Sequence, residues 1–269
     1  MQFLRKINIR RILAYLLALY LLAGASLYLF QKKLIFHPVP LAADYKFSYD
    51  IPFEEIHIRI NDKELLSAVM FKADKPRGIV IYFHGNARNI SKYAGKTKDF
   101  VRNGYSVLMM DYPTYGKSTG KLTEEAMYAN GLRMYQVARK SFSPDSIIIY
   151  GRSLGTAVAA QLATVRDCRR LVLEAPYYNM TDMAMRLAPI FPYGLMLEYK
   201  FPTNEYLPRV TAPITIIHGT DDHTIPLESG KKLEKLLKTG DQFIVINGAD
   251  HNNLDAYPQF HQALDKALN

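Results

Sequence analysis

The chain has 269 residues, 49% hydrophobic and 22% charged, so it can bury a sizeable core and is neither disordered nor collagen-like. A single cysteine, Cys168, excludes an internal disulfide framework and a cysteine-based zinc site. The net charge of +9 is concentrated at the N-terminus, because the first 33 residues carry six basic side chains and no acidic one. The other residues carry 28 basic and 25 acidic side chains, which argues against a nucleic-acid-binding face.

The first predicted element is an apolar helix. Residues 12–30 form an uncharged run that as an α-helix would span about 28 Å, close to the thickness of a bilayer hydrocarbon core. Tyr15 and Tyr28 lie near its two ends, as interfacial anchors do. We therefore expect residues 1–33 to be an uncleaved membrane anchor. A cleaved secretory signal is the alternative, because Ala23-Gly24-Ala25 resembles a cleavage site, although the apolar run continues past it.

The charges that flank this run predict its orientation. Four basic residues precede the run and two directly follow it, namely Arg5, Lys6, Arg10 and Arg11, then Lys32 and Lys33. By the positive-inside rule we expect a cytoplasmic N-terminus and a main domain on the outer side, whether periplasmic, lumenal or extracellular. If the run were a cleaved signal, the domain would instead be secreted.

The rest of the chain, residues 34–269, alternates short apolar segments with longer helical ones. Asn61-Asp62 separates two of the segments, as the turn of an antiparallel hairpin would. Later segments are apolar at successive positions, as in Ile147-Ile148-Ile149, which is typical of strands buried on both faces of a parallel sheet. The predicted strands are 56–60, 65–70, 78–83, 105–110, 146–150, 170–174, 214–218 and 242–246, and the predicted helices are 89–102, 123–139, 154–165, 227–237 and 257–268. This pattern predicts an α/β fold with a mostly parallel central sheet flanked by helices.

One connection, residues 176–212, is too long for a simple crossover. It is too apolar for a solvated loop and too rich in proline for one long helix. We predict a small helical cap over the carboxyl edge of the sheet. Its apolar side chains, including Met183, Phe191 and Met196, would face the site and favour long acyl chains. Ordinary packing of the same side chains against the sheet is the alternative.

A nucleophile is indicated where the strand at 146–150 meets the helix at 154–165. Gly151-Arg152-Ser153-Leu154-Gly155 occupies this junction, and a sharp turn from strand to helix needs small residues around the serine. Such a turn lifts the hydroxyl of Ser153 above the sheet at the positive end of the following helix.

A serine hydroxyl needs a base, and the base needs a carboxylate that orients it. His251 follows the last predicted strand and is the best-placed base, with His223 as its competitor. The carboxylate is expected after a strand between serine and histidine, where Asp221 and Asp222 are adjacent candidates. The backbone N–H groups of Leu154 and Asn86 could complete an oxyanion hole.

The order of these motifs resembles the α/β-hydrolase superfamily. The motifs are His84-Gly85-Asn86, Asp111-Tyr112 with Tyr115-Gly116-Lys117-Ser118, the Ser153 turn, Asp222 and His251. More narrowly, the chain is similar to membrane-anchored Bem46-like serine hydrolases of the ABHD type, which share an N-terminal anchor followed by a stretch like residues 31–38. The resemblance implies that Ser153 is the nucleophile, Asp222 the orienting acid and His251 the base. Members usually carry Arg-Gly where this chain has Pro113-Thr114, a change in a structural turn.

The expected function is therefore hydrolysis of carboxylic esters or thioesters with apolar acyl groups, through an acyl-enzyme on Ser153. A serine peptidase that trims peptides is an alternative, and it would need acids such as Asp182, Glu198 or Glu205 to bind the substrate amine. A non-catalytic, membrane-tethered binding protein is a further alternative. We expect no metal or organic cofactor, because the Ser153 turn is too short for a dinucleotide fingerprint and no P-loop is present.

Overall fold

The computed structural model describes residues 9–269. Its strands are β1 (His37–Pro38), β2 (Phe53–Arg59), β3 (Leu65–Phe71), β4 (Gly78–Phe83), β5 (Ala87–Arg88), β6 (Tyr105–Met110), β7 (Ile147–Arg152), β8 (Arg170–Glu174), β9 (Ile214–Gly219) and β10 (Gln242–Ile246). Its helices are α1 (Ile9–Ile35), α2 (Ile90–Tyr93), α3 (Lys98–Arg102), α4 (Glu124–Ala138), α5 (Gly155–Val165), α6 (Met180–Leu187), α7 (Tyr193–Met196), α8 (Thr203–Tyr206), α9 (Leu227–Glu234) and α10 (Pro258–Leu268).

Eight of the strands form one sheet in the order β10-β9-β8-β7-β4-β6-β3-β2. The pairs β2–β3 and β3–β6 are antiparallel, and the other five pairs are parallel. Strands β4, β6 and β7 are buried at every position, because α4 and α5 cover one face of the sheet and α3 and α10 the other. The expected α/β fold with a mostly parallel sheet is confirmed, and the uniformly apolar strands reflect this double coverage.

Most predicted elements lie within a few residues of the observed ones, and two differ for local reasons. The predicted helix at 89–102 is divided into α2 and α3 by a 3-10 turn at 94–97. Gly95 weakens the helix there, and the Thr97 hydroxyl donates a hydrogen bond to the Ala94 carbonyl at 2.6 Å. Helix α9 ends at Glu234, earlier than predicted, because Leu236 N–H bonds to the carbonyl of Leu233 in a tighter turn.

Helix α1 is longer than the predicted run and extends from Ile9 to Ile35. It is long and apolar enough to cross a membrane. Arg5 and Lys6, two of the basic residues used above to predict orientation, lie outside the described residues. Many apolar side chains of α1 are exposed, such as Leu19 and Leu22, so most of this helix is not covered by the core of the protein.

The connection between β8 and β9 contains the short helices α6, α7 and α8. Proline residues precede α7 and α8 directly, at Pro192 and Pro202, where a missing backbone N–H costs no intrahelical bond. Asn179 caps α6 by accepting a hydrogen bond from the Asp182 N–H at 2.7 Å. This connection therefore folds as several short helices joined by proline turns.

Candidate active site

Ser153 lies in a sharp turn between β7 and α5. Its φ is +52°, in the left-handed region that non-glycine residues seldom adopt. The two flanking glycines make this turn possible. A Cβ at Gly151 would lie 2.6 Å from the carbonyl oxygen of Gly155, and a Cβ at Gly155 would clash with the backbone of Phe83. The local motif thus reflects steric necessity, and backbone strain of this kind is characteristic of functional sites.

Three side chains from separate loops meet at this turn. The hydroxyl of Ser153 lies 3.0 Å from Nε2 of His251, and Nδ1 of His251 lies 2.7 Å from Oδ2 of Asp222. All three residues are buried. They come from loops that follow β7, β9 and β10, and neighbouring parallel strands bring these loops to one edge of the sheet.

The environment of Asp222 favours its ionised form. Burial by itself would raise the pKa of this carboxyl, but the nearby ring of His218, 3.5 Å away, and the hydrogen bond with His251 hold the pKa well below its ordinary value. The other carboxylate oxygen accepts hydrogen bonds from the N–H groups of Thr224 and Ile225, at 2.9 and 2.7 Å. Asp222 is therefore fixed in position as a carboxylate that can orient the His251 ring.

The alternative acid, Asp221, and the alternative base, His223, form no hydrogen bond with Ser153. Asp221 is exposed, and its carboxylate accepts a hydrogen bond from the hydroxyl of Thr220. His223 is exposed at the edge of the cavity described below, whereas His251 contacts Ser153 directly. Of the two acids and two histidines that the sequence offered, the structure brings Asp222 and His251 to the serine.

The turn after β4 holds Asn86 beside Ser153. Neither the Asn86 nor the Leu154 backbone N–H donates a hydrogen bond within the described part of the chain, so both are available to an oxyanion. The Asn86 side chain anchors the turn. Its oxygen accepts a hydrogen bond from the Tyr115 hydroxyl at 2.8 Å, and its nitrogen donates to the carbonyl of Ile35 at the end of α1.

Sequence reasoning missed a buried ion pair below the serine turn. Nε of Arg152 donates to Glu174 at 2.8 Å, and its Nη2 donates to the backbone carbonyl of His251 at 2.6 Å. Glu174 also accepts a hydrogen bond from the Tyr150 hydroxyl at 2.5 Å. Both charged side chains are 4% exposed. This network ties β7 and β8 to the loop of His251, and its only sequence signal was a charged residue beside the serine.

A cavity of about 470 Å³ opens over Ser153. Its walls are mostly apolar and come from the cap, from the loop after β9 and from the last turns of α1. The cap residues in the wall include Met180, Met183, Ala184, Leu187, Tyr193 and Leu197.

The expectation for two cap residues was wrong. Phe191 and Met196 do not line the cavity, because both lie against α1: the ring of Phe191 stacks on that of Tyr20, and Met196 approaches Gly24. Met183 lines the cavity as predicted.

The strand order, the turn at Ser153 and the loops that carry Asp222 and His251 define an α/β-hydrolase fold, and the chain is similar to members of the α/β-hydrolase superfamily. The family described as serine aminopeptidase, S33 matches residues 74–202. The chain is similar to protein ABHD12B of Homo sapiens, with 33% identity over 60% of this chain and 50% of the relative. It is also similar to alpha/beta hydrolase domain-containing protein 17C of Mus musculus, with 28% identity over 73% of this chain and 61% of the relative.

These alignments span between half and about three fifths of the length of the two relatives. The similarity confirms the resemblance to ABHD-type hydrolases. Among solved structures, the esterase Pf2001 of Pyrococcus furiosus superposes with a TM-score of 0.68 at 16% identity, covering 87% of this chain and 98% of the esterase. At this level of identity the likeness establishes the fold.

Proposed function

We propose that this chain is a membrane-anchored serine hydrolase that cleaves carboxylic ester or thioester bonds with apolar acyl groups. The observation that carries the proposal is the continuous chain of hydrogen bonds from Ser153 through His251 to Asp222, at the base of an apolar cavity.

The geometry supports an acyl-enzyme mechanism. The Ser153 hydroxyl attacks the substrate carbonyl carbon while Nε2 of His251 takes its proton, and Asp222 stabilises the imidazolium that forms. The N–H groups of Asn86 and Leu154 bind the oxyanion. His251 then gives its proton to the leaving oxygen or sulfur, which departs and leaves an ester on Ser153. A water molecule, deprotonated by His251, hydrolyses this ester and regenerates the serine.

The lining of the cavity favours an acyl substrate over a peptide. No aspartate or glutamate lines the cavity among residues 9–269, and a free substrate amine would need such an acid. Of the acids considered for this role, Asp182 contacts Lys232 and Ser229, whereas Glu198 and Glu205 are exposed. These contacts argue against the aminopeptidase activity that the family description suggests. The complete set of reacting groups argues equally against a non-catalytic binding protein.

We further propose that residues 1–33 anchor the protein and that residues 34–269 form the catalytic domain, with the cap inserted at about 176–212. The length and apolar character of α1 support the anchor. The excess of basic residues before the apolar run supports a cytoplasmic N-terminus and an outer catalytic domain. The intact mass of protein extracted from membranes tests the anchor, since a mature N-terminus at Ser26 would mean that a signal had been removed.

A fluorophosphonate probe tests the nucleophile. We expect it to label the full-length protein, and we expect Ser153→Ala to abolish labelling while Ser141→Ala, in an exposed turn, retains it. A panel of p-nitrophenyl esters and aminoacyl p-nitroanilides then tests the substrate class. Hydrolysis of the anilides but not of the esters would overturn the ester proposal, and labelling of the Ser153→Ala protein would overturn the assigned nucleophile.

A further inference from the structure

Helix α1 is fastened along one side to the connection between α6 and α7. The ring of Tyr20 stacks on Phe191 with centroids 4.9 Å apart and planes 11° apart, and its hydroxyl donates to the carbonyl of Ile190 at 3.0 Å. A side-chain carbon at Gly24 would lie 3.4 Å from the Phe191 ring, so the helix and the cap approach closely there. These contacts join the cap to the apolar part of α1.

A second point of attachment lies at Gln31, near the end of the same helix. Gln31 is 5% exposed, although it follows an apolar run. Its side-chain oxygen accepts a hydrogen bond from the Glu198 N–H at 2.8 Å, and its nitrogen donates to the Met196 carbonyl at 3.3 Å. The amide therefore satisfies backbone groups of the cap that would otherwise lack partners.

The last turns of α1 also form part of the cavity over Ser153. Leu27, Gln31, Leu34 and Ile35 line this cavity together with the serine. The proposed anchor is thus a wall of the substrate pocket as well as an attachment to the membrane.

The apolar run of α1 and the uncharged segment of the cap end at the same level. Residues 187–197 contain no charged side chain and are bounded by Arg186 and Glu198. Glu198 meets α1 at Gln31, where the apolar run of that helix ends. Tyr20 lies eleven residues before Gln31, which places it about 16 Å deeper and near the middle of a hydrocarbon core of about 30 Å. Its contact with Ile190 and Phe191 brings that part of the cap to the same depth.

The exposed side chains of this segment are those a bilayer would cover. Leu187 is 88% exposed, Ile190 67% and Leu195 89%, and they continue the exposed apolar surface of α1. Leu187 and Leu34 are exposed and also line the cavity, so its mouth extends from the uncharged segment 187–197 to just beyond the boundary at Gln31.

We infer that residues 187–197 lie inside the bilayer beside α1 and that the cavity opens between them into the hydrocarbon. The acyl chain of a lipid or lipid-like ester then enters the site directly from the membrane, along a wall supplied by Leu27, Leu34 and Ile35. This inference deepens the proposed function and rests on it for the identity of the reacting groups. The position of the cap in the bilayer is independent of catalysis and can be measured separately.

Site-directed fluorescence measures that position in full-length protein reconstituted in phosphatidylcholine vesicles. In a Cys168→Ser background, bimane is attached at Ile190→Cys, at Leu195→Cys or, as a control, at Lys140→Cys. Lys140 is exposed just after α4, at the amino edge of the sheet away from the cap. We expect lipids with a nitroxide in the acyl chain to quench the two cap labels and aqueous iodide to quench the control. Quenching of the cap labels by iodide to the same extent as the control would overturn the inference. Shielding from both quenchers would also overturn it, because it would indicate coverage by protein, such as a second copy.

A substitution in the wall tests entry of the acyl chain. Leu27→Trp adds bulk to the cavity wall, whereas Leu29→Trp adds it to a side chain that is 71% exposed and outside the cavity. In vesicles, we expect Leu27→Trp to lower the ratio of kcat/KM for laurate to that for acetate esters by about tenfold, and Leu29→Trp to leave it unchanged. Equal ratios for Leu27→Trp and the unaltered protein would overturn the role of α1 as a pocket wall. If the unaltered protein neither reacted with fluorophosphonate nor cleaved any ester, the proposed function would fail instead, and the quenching result would still report the position of the cap.

Discussion

We expect the acyl-chain preference of the proposed hydrolase to depend on how much of the cavity over Ser153 a substrate can fill. Ala184 on α6 lines the cavity, whereas the next residue, Met185, is 48% exposed and does not. Ala184→Phe places an aromatic ring in a space of about 470 Å³ over Ser153, and Met185→Phe adds the same ring outside it. The two substitutions differ by one position in the chain and therefore control for helix propensity and for apolar bulk.

The expected magnitude follows from the burial of methylene groups. Each methylene of an acyl chain buried in an apolar cavity contributes about 0.8 kcal/mol, or roughly a fourfold gain in kcat/KM. A phenyl ring that displaces three methylenes removes about 2.4 kcal/mol, which corresponds to a roughly 50-fold fall for the longest esters. We therefore expect kcat/KM of the unaltered protein to rise with chain length until the cavity is full, and the optimum of Ala184→Phe to shift to shorter chains.

The assay is kcat/KM for p-nitrophenyl esters from acetate to laurate, measured on full-length protein in detergent micelles. The ratio of long-chain to acetate activity separates pocket filling from damage to the reacting groups, because damage would lower all esters together. We expect Met185→Phe to give the profile of the unaltered protein. A flat chain-length profile in the unaltered protein, or identical profiles for the two variants, would refute the reasoning and leave the cap as packing alone.

Four further predictions concern groups that the fold buries fully or in part. Glu174→Gln should destabilise the protein by about 3–5 kcal/mol, seen as a fall in Tm, because it leaves the buried Arg152 charge without its partner; an unchanged Tm would contradict this. Asp222→Asn should lower kcat by about 10⁴ because the His251 ring loses its orienting carboxylate. Folding lowers the pKa of Asp222, so the stability that its carboxylate contributes should be complete above about pH 5 and should decline as the pH falls below about 4. The Tm difference between the unaltered protein and Asp222→Asn should therefore shrink in acid, and a difference that grew would contradict this direction. Burial raises the pKa of Cys168 to about 12, so little thiolate is present at pH 8. Iodoacetamide at that pH should modify Cys168 at least roughly 100-fold more slowly than a free thiol, and mass spectrometry of timed samples measures this rate.

The succession of strands along the chain and the sharp turn at Ser153 could be predicted from the sequence. Strands covered on both faces must be apolar at successive positions, as β7 is at Ile147, Ile148 and Ile149, so their number and order remain visible in the sequence. The turn at Ser153 requires glycine on both sides because a Cβ would meet backbone atoms, and this requirement leaves a short local motif. Both signals arise from contacts that every chain with this local geometry must make.

The motif order of the resembled superfamily favoured Asp222 over Asp221, but the physical basis of that choice is tertiary. Asp221 and Asp222 are equivalent as isolated residues, and only the packing of the loop after β9 turns Asp222 toward His251 and leaves Asp221 exposed. Similarly, the partner of Arg152 comes from β8, a neighbouring strand distant in sequence, so the buried pair had no local signature.

The cap illustrates the same division between local and tertiary information. The composition of the cap predicted only that an apolar segment lies between β8 and β9. Which apolar side chains face the cavity and which face α1 was decided by folding: Met183 lines the cavity, and Phe191 stacks on Tyr20. The physical reason is that hydrophobic burial is non-directional, so a sequence specifies that an apolar residue must be covered without specifying by what. Only the position of the neighbouring helix in space identifies the covering surface.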